Sequence, residues 1–191
     1  MSTIARITPA HLSLDDFVLE MAHIPSRELT MESLRDLVGH LDLRDELIQE
    51  HIRFVPDGYA RNLVCRTPRF DMLVLCWKPG QVTTIHDHAG SLNVTRVFEG
   101  ELTSRLFDEG DRPGPGRCLV RLKSEERLNK APGAFSCVDH GEIHQLANTS
   151  DRELVTVHVY ARPLKDITVY CPASGEIERV TLRYTLEDEF A

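Results

Sequence analysis

The chain has 191 residues, 41% hydrophobic and 27% charged, which is enough apolar material for a sizeable core and too much for wholesale disorder. Its 22 Lys and Arg stand against 30 Asp and Glu, a formal net charge of −8; with no basic run, this argues against nucleic acid or a membrane surface as a partner held by general electrostatics. Five cysteines without a C-x-x-C pair point to reduced thiols rather than a disulfide framework or zinc knuckle. Met1 to Leu12 lacks the basic segment and apolar run of a signal peptide, and no stretch nears the roughly 20 apolar residues that span a bilayer, so a cytoplasmic protein is expected.

In chain order, Ser13 is a good N-cap for a helix to Ala22, with Leu14, Phe17, Val18 and Met21 at helical spacing and Asp15 and Asp16 in the first turn. Two more helices are expected, from Thr30 to Val38 and from Leu43 to His51. After Pro56 the pattern changes to short β-branched and aromatic runs broken by Pro, Gly and Asp, among them Phe70 to Trp77, Leu92 to Phe98, Glu101 to Phe107 and Leu154 to Tyr160. Asp108 to Arg117, rich in Gly and Pro, reads as a hairpin connection. Helices first and strands afterwards, without alternation, indicate an all-β sandwich or small barrel with an N-terminal helical cover. One domain is expected over residues 1–191, with helices in 1–55 and the barrel in 56–191.

Of nine histidines, His86, His88, His144 and His158 fall in the strand-rich part. On a strand, residues two apart share a face, so His86 and His88 can converge on one ion while Asp87 points away. His140 and His144 compete for a third ligand position. Their four-residue spacing needs a helix, which Gly141 and the alternating Ile143 and Leu146 argue against; His144 is favoured, with His140 a solvated turn residue. Thr156, His158 and Tyr160 alternate with Val155, Val157 and Val159, so the polar set shares one face and the valines the apolar core.

The run Gly80, His86-x-His88, Asn93, Gly100 resembles the first cupin motif, and Gly141, His144, Asn148 the second. More narrowly, Ile85-His86-Asp87-His88, Tyr59-Ala-Arg61-Asn62-Leu63-Val64, Ser91 and His158-Val159-Tyr160 with Pro163 resemble the cysteine dioxygenases, thiol dioxygenases of the cupin superfamily. The resemblance covers about Tyr59 to Pro163. It implies a cupin fold, mononuclear ferrous iron, Fe(2+), and oxidation of a small thiol by O2 to a sulfinic acid.

The resemblance assigns His86, His88 and His144 as metal ligands. Asn93 stands where the first cupin motif usually has glutamate, so the site offers three neutral imidazoles and no carboxylate, which suits an anionic substrate such as a thiolate. Arg61 matches the substrate-carboxylate residue, a role for which a guanidinium fork is suited. Tyr59 lines the pocket or supports it, His158 and Tyr160 match the catalytic pair, and Thr156 stands where serine is common and can hydrogen-bond His158. Animal members link a cysteine at the place of Asn93 to the tyrosine matching Tyr160; asparagine cannot form that thioether, so a free phenol is expected. Ala161-Arg162-Pro163 replaces the common Ser-Pro-Pro, and Arg162 can alter the pocket rim. Trp77, Cys76 and Cys137 read as packing residues.

The expected function is iron-dependent oxidation of L-cysteine to cysteine sulfinic acid. Rivals are a dioxygenase for another thiol acid, 3-mercaptopropionate or mercaptosuccinate, and a non-catalytic metal-binding cupin sensor.

Overall fold

The computed structural model describes residues 11–185; most of the segment on which the signal-peptide reading rests lies outside them. Helix α1 (Leu14–His23) is capped by Ser13, whose hydroxyl accepts from the Asp16 N–H, and α2 (Met31–His40) by a reciprocal Thr30–Ser33 capping box. Both fall where the sequence places them. The third expected helix does not: only one turn, α3 (Glu46–Gln49), forms. Asp45 ends any earlier start, because its carboxylate caps α3 at Leu47 N and also accepts from Leu14 N of α1.

The strands are β1 (Ala60–Arg66), β2 (Phe70–Trp77), β3 (Ile85–Asp87), β4 (Leu92–Glu99), β5 (Leu102–Glu109), β6 (Val120–Leu128), β7 (Ser136–Val138), β8 (Ile143–Ala147), β9 (Leu154–Ala161), β10 (Asp166–Tyr170) and β11 (Ile177–Thr181). They form a five-stranded sheet, β1-β2-β9-β4-β7, and a six-stranded sheet, β11-β10-β3-β8-β5-β6. Asp108 to Arg117 joins β5 to β6 as the expected hairpin. The architecture is the expected all-β cupin barrel beneath an N-terminal helical cover. Among the described residues no helix is long and apolar enough to cross a membrane.

Alternation along β2 and β9 divides the core. Phe70, Met72, Val74 and Cys76, with Val155, Val157 and Val159, face the helices and pack against Phe17, Met21, Leu34 and Val38. Phe17 meets Phe70 edge to face at 5.7 Å. The other faces of these strands, with Leu73, Leu75, Trp77, Leu154 and Tyr160, pack against Leu102, Leu146 and Ile167 of the second sheet. The polar residues of β9 therefore look into the barrel.

Two motif residues build turns. Gly100 has φ +88°, and a Cβ there would lie 2.6 Å from the Glu153 carbonyl oxygen, so only glycine fits. Asn148 donates to the Trp77 and Arg152 carbonyls and accepts from Ser150, holding the turn before β9.

Candidate metal centre

His86 and His144 are direct partners across β3 and β8, and His88 follows on the same face as His86. The three side chains are almost fully buried, and the His144 Nε2 atom lies 3.2 Å from His86 Nε2 and 3.0 Å from His88 Nε2. His86 Nδ1 donates to the Thr84 carbonyl at 2.9 Å, which leaves its Nε2 lone pair directed at the others. Burial pushes the His86 pKa down to about 4 and holds His88 and His144 well below the ordinary histidine value. At neutral pH these are three uncharged imidazoles crowding their ring nitrogens together, an arrangement that a cation would relieve.

Asp87 points away as alternation requires, accepting from Tyr170 Oη and from Ala89 N, both at 2.8 Å. His140 is exposed, and its Nδ1 lies 2.8 Å from the Gly90 carbonyl. Among the described residues, His86, His88 and His144 are the one group of His, Cys, Asp or Glu arranged to hold a metal.

On the facing sheet, Thr156, His158 and Tyr160 of β9 line the chamber, all buried. Tyr160 sits edge-on to His88, with ring centroids 5.2 Å apart. Its hydroxyl oxygen is 3.4 Å from His158 Nδ1, and Thr156 Oγ1 is 2.8 Å from His158 Nε2. Burial pushes the Tyr160 pKa up to about 12 against the opposing pull of Arg61, and burial, aided by Arg61, takes His158 down to about 3. Both groups are neutral near pH 7, and the phenol keeps its proton.

Arg61, on β1, lies close enough to act on His86, His88, His158 and Tyr160 electrostatically. Its Nε and Nη2 atoms are buried and have no partner in the protein. These two donors form one edge of the guanidinium, the edge that takes a carboxylate through two parallel bonds. Tyr59 stacks on Trp77 with centroids 4.3 Å apart. Asn62 faces the other way, where its Nδ2 donates to the His51 and Arg53 carbonyls and ties down the chain leading to Tyr59.

The structure adds residues that sequence reasoning missed. Trp77 fills the core as expected, but its indole Nε1 also donates to Thr156 Oγ1 at 2.9 Å; a buried tryptophan N–H needs an acceptor, and that was the available signal. Thr95 reaches His158 from the neighbouring strand. The C-terminal segment straps the edge of β1: Thr185 N donates to the Arg61 carbonyl and Arg61 N to Thr185 Oγ1, both at 2.8 Å. Beside it Tyr184 donates to the buried Asp71 carboxylate, which Arg66 also engages. Arg162 is exposed with φ +70°, and Ser91 Oγ donates to its carbonyl at 2.7 Å.

Residues 29–172 match the family model for cysteine dioxygenase type I. Cysteine dioxygenase type 1 of Rattus norvegicus is 28% identical over 136 residues, which span 70% of this chain and 66% of that protein's length. The Danio rerio protein of the same name is 25% identical over 175 residues, 90% of this chain and 86% of its own. Among solved structures, a conserved protein with a double-stranded β-helix domain from Klebsiella pneumoniae aligns with 70% of this chain and 94% of its own, at 18% identity and a TM-score of 0.45.

Proposed function

The chain belongs to the cysteine dioxygenase type I family, and on that premise we propose that it is an iron-dependent thiol dioxygenase that oxidises L-cysteine to cysteine sulfinic acid with O2. The observation that carries this reading is the shared chamber: three neutral imidazoles converge opposite a proton-bearing phenol, with the free edge of Arg61 beside them. A metal-binding sensor has no use for the phenol.

His86, His88 and His144 would hold ferrous iron, which would supply a path for electrons between thiol and dioxygen. The remaining work falls to the chain. Arg61 Nε and Nη2 grip the substrate carboxylate and set the distance of its sulfur from the histidines. Tyr160 holds a hydroxyl proton toward the reacting sulfur and oxygen atoms and stays neutral across the physiological range. Thr156 and His158 orient that phenol, and the Tyr59–Trp77 stack walls the chamber against water.

One observation favours a thiol acid without an amine, such as 3-mercaptopropionate or mercaptosuccinate. Asp87, between the two histidines, and Asp71, opposite Tyr160 in the β2–β9 ladder, are committed elsewhere, Asp87 to Tyr170 and Asp71 to Arg66 and Tyr184, and so offer no free carboxylate to a substrate ammonium. Oxygen uptake by the iron-loaded protein on cysteine, 3-mercaptopropionate, mercaptosuccinate and cysteamine, with the products identified, separates these readings. Cysteine is expected to give the highest kcat/KM. Arg61→Ala removes two charge-assisted bonds of about 1.5 to 3 kcal/mol each, so KM for thiols bearing a carboxylate should rise at least about a hundredfold while cysteamine turnover holds. Uptake with none of these thiols would leave the sensor reading.

A further inference from the structure

Asn93 lies directly opposite Tyr160, and Thr95 opposite His158, in the β4–β9 ladder. Both are buried. Asn93 Nδ2 donates to the Val159 carbonyl at 3.2 Å, which turns its Oδ1 toward Thr95, and the Thr95 hydroxyl donates to that oxygen at 2.9 Å. A hydroxyl has one proton. With it committed to Asn93, Thr95 Oγ1 can only accept from His158 Nδ1, 2.9 Å away.

The other side of the ring runs in the same sense. An indole N–H is a donor only, so Thr156 accepts from Trp77, and with the His158 proton on Nδ1 the bare Nε2 can only accept the Thr156 hydroxyl proton. Every proton in the series Trp77, Thr156, His158, Thr95, Asn93 therefore points one way. Without the acceptors at 93 and 95, the neutral imidazole could carry its proton on Nε2, toward Thr156, and take the Tyr160 hydroxyl proton at Nδ1.

We infer that Asn93 and Thr95 are positioning residues that lock His158 in its Nδ1–H tautomer, so that the Tyr160 hydroxyl cannot donate to the ring and keeps its proton for the bound thiol substrate. The tautomer rests on the hydrogen bonds alone; its use rests on the proposed dioxygenase activity. Asn93 thus holds His158, and through it Tyr160, by a hydrogen-bond chain.

The test uses full-length protein labelled with nitrogen-15 histidine and loaded with zinc, whose closed shell leaves the spectrum unbroadened. The His158 signals, assigned by their loss in His158→Gln, should show the proton on Nδ1. Thr95→Val, nearly the same shape without the hydroxyl, should move it wholly or partly to Nε2. In iron-loaded protein of matched metal content, Thr95→Val should lower kcat for cysteine roughly ten- to a hundredfold with KM within about twofold, and Thr95→Ser should restore both tautomer and kcat. A wild-type ring protonated on Nε2 overturns the inference, with no variant needed. So does Thr95→Val with tautomer and kcat unchanged. The expected tautomer in a protein that oxidises no thiol would sink the proposed activity and uphold the chain of bonds.

Discussion

Cys65 and Cys76 have their thiol pKa values pushed up by burial, to about 12 and about 11, and both pack on the helical side of the five-stranded sheet. The sheet stands between these two thiols and the histidines. Cys171 differs: in the turn between β10 and β11, the Ser174 hydroxyl and the N–H groups of Ser174 and Ala173 lower its pKa. Alkylation follows the thiolate, so iodoacetamide near pH ~7 should modify Cys171 first and reach Cys65 and Cys76 only on unfolding. The Cys171 rate should level off below the ordinary thiol value of 9.0. Peptide mapping that finds Cys76 labelled as fast as Cys171 would remove the shielding. At this scale the sequence was most readable where chemistry and period coincide, as in His86-x-His88 and the alternation through Thr156, His158 and Tyr160. Thr95 and Trp77 were not legible as partners of the site, because threonine and tryptophan are ordinary strand residues and their contacts depend on which strands lie side by side.

Strands buried on one or both faces announce themselves: β2 and β9 coincide with the expected runs, to within a residue at their ends. Strand β6 does not, since it is an exposed edge with the sequence VRLKSEERL and carries no apolar period. The third helix is shorter than expected because Leu47, Ile48 and Ile52 have helical spacing, whereas of the three only Ile48 is buried. Helix α2 is tied to the sheet by a bond that periodicity could not show. Arg96 Nη1, on β4, donates to the carbonyls of Val38 at 2.9 Å and Leu41 at 2.8 Å, adding to the single bond that Val38 O accepts from Leu41 N at the C-terminal end of the helix. Arg96→Met keeps the packing of the stem and removes the donors, so it should cost about 2 kcal/mol and lower the thermal midpoint by a few degrees while iron content stays unchanged. Unaltered stability in denaturant unfolding would show that solvent satisfies those carbonyls equally well.

In the whole molecule, the two sheets divide the chemistry. The six-stranded sheet contributes His86 and His144 from β3 and β8, with His88 just beyond β3, and the five-stranded sheet contributes Arg61, Thr156, His158 and Tyr160. Metal and proton donor thus reach one chamber from opposite walls, and the helical cover stays outside it, sealing the far face of the second wall. In the proposed reaction Arg61 would hold the thiol sulfur beside the histidine cluster, with the Tyr160 proton at hand. The decisive measurement supplies cysteine and isotopically labelled dioxygen to the iron-loaded protein in unlabelled water and weighs the product. The proposed activity predicts cysteine sulfinic acid carrying both labelled atoms from a single dioxygen molecule. Cystine without label, or a sulfinate whose oxygen came from water, would contradict it.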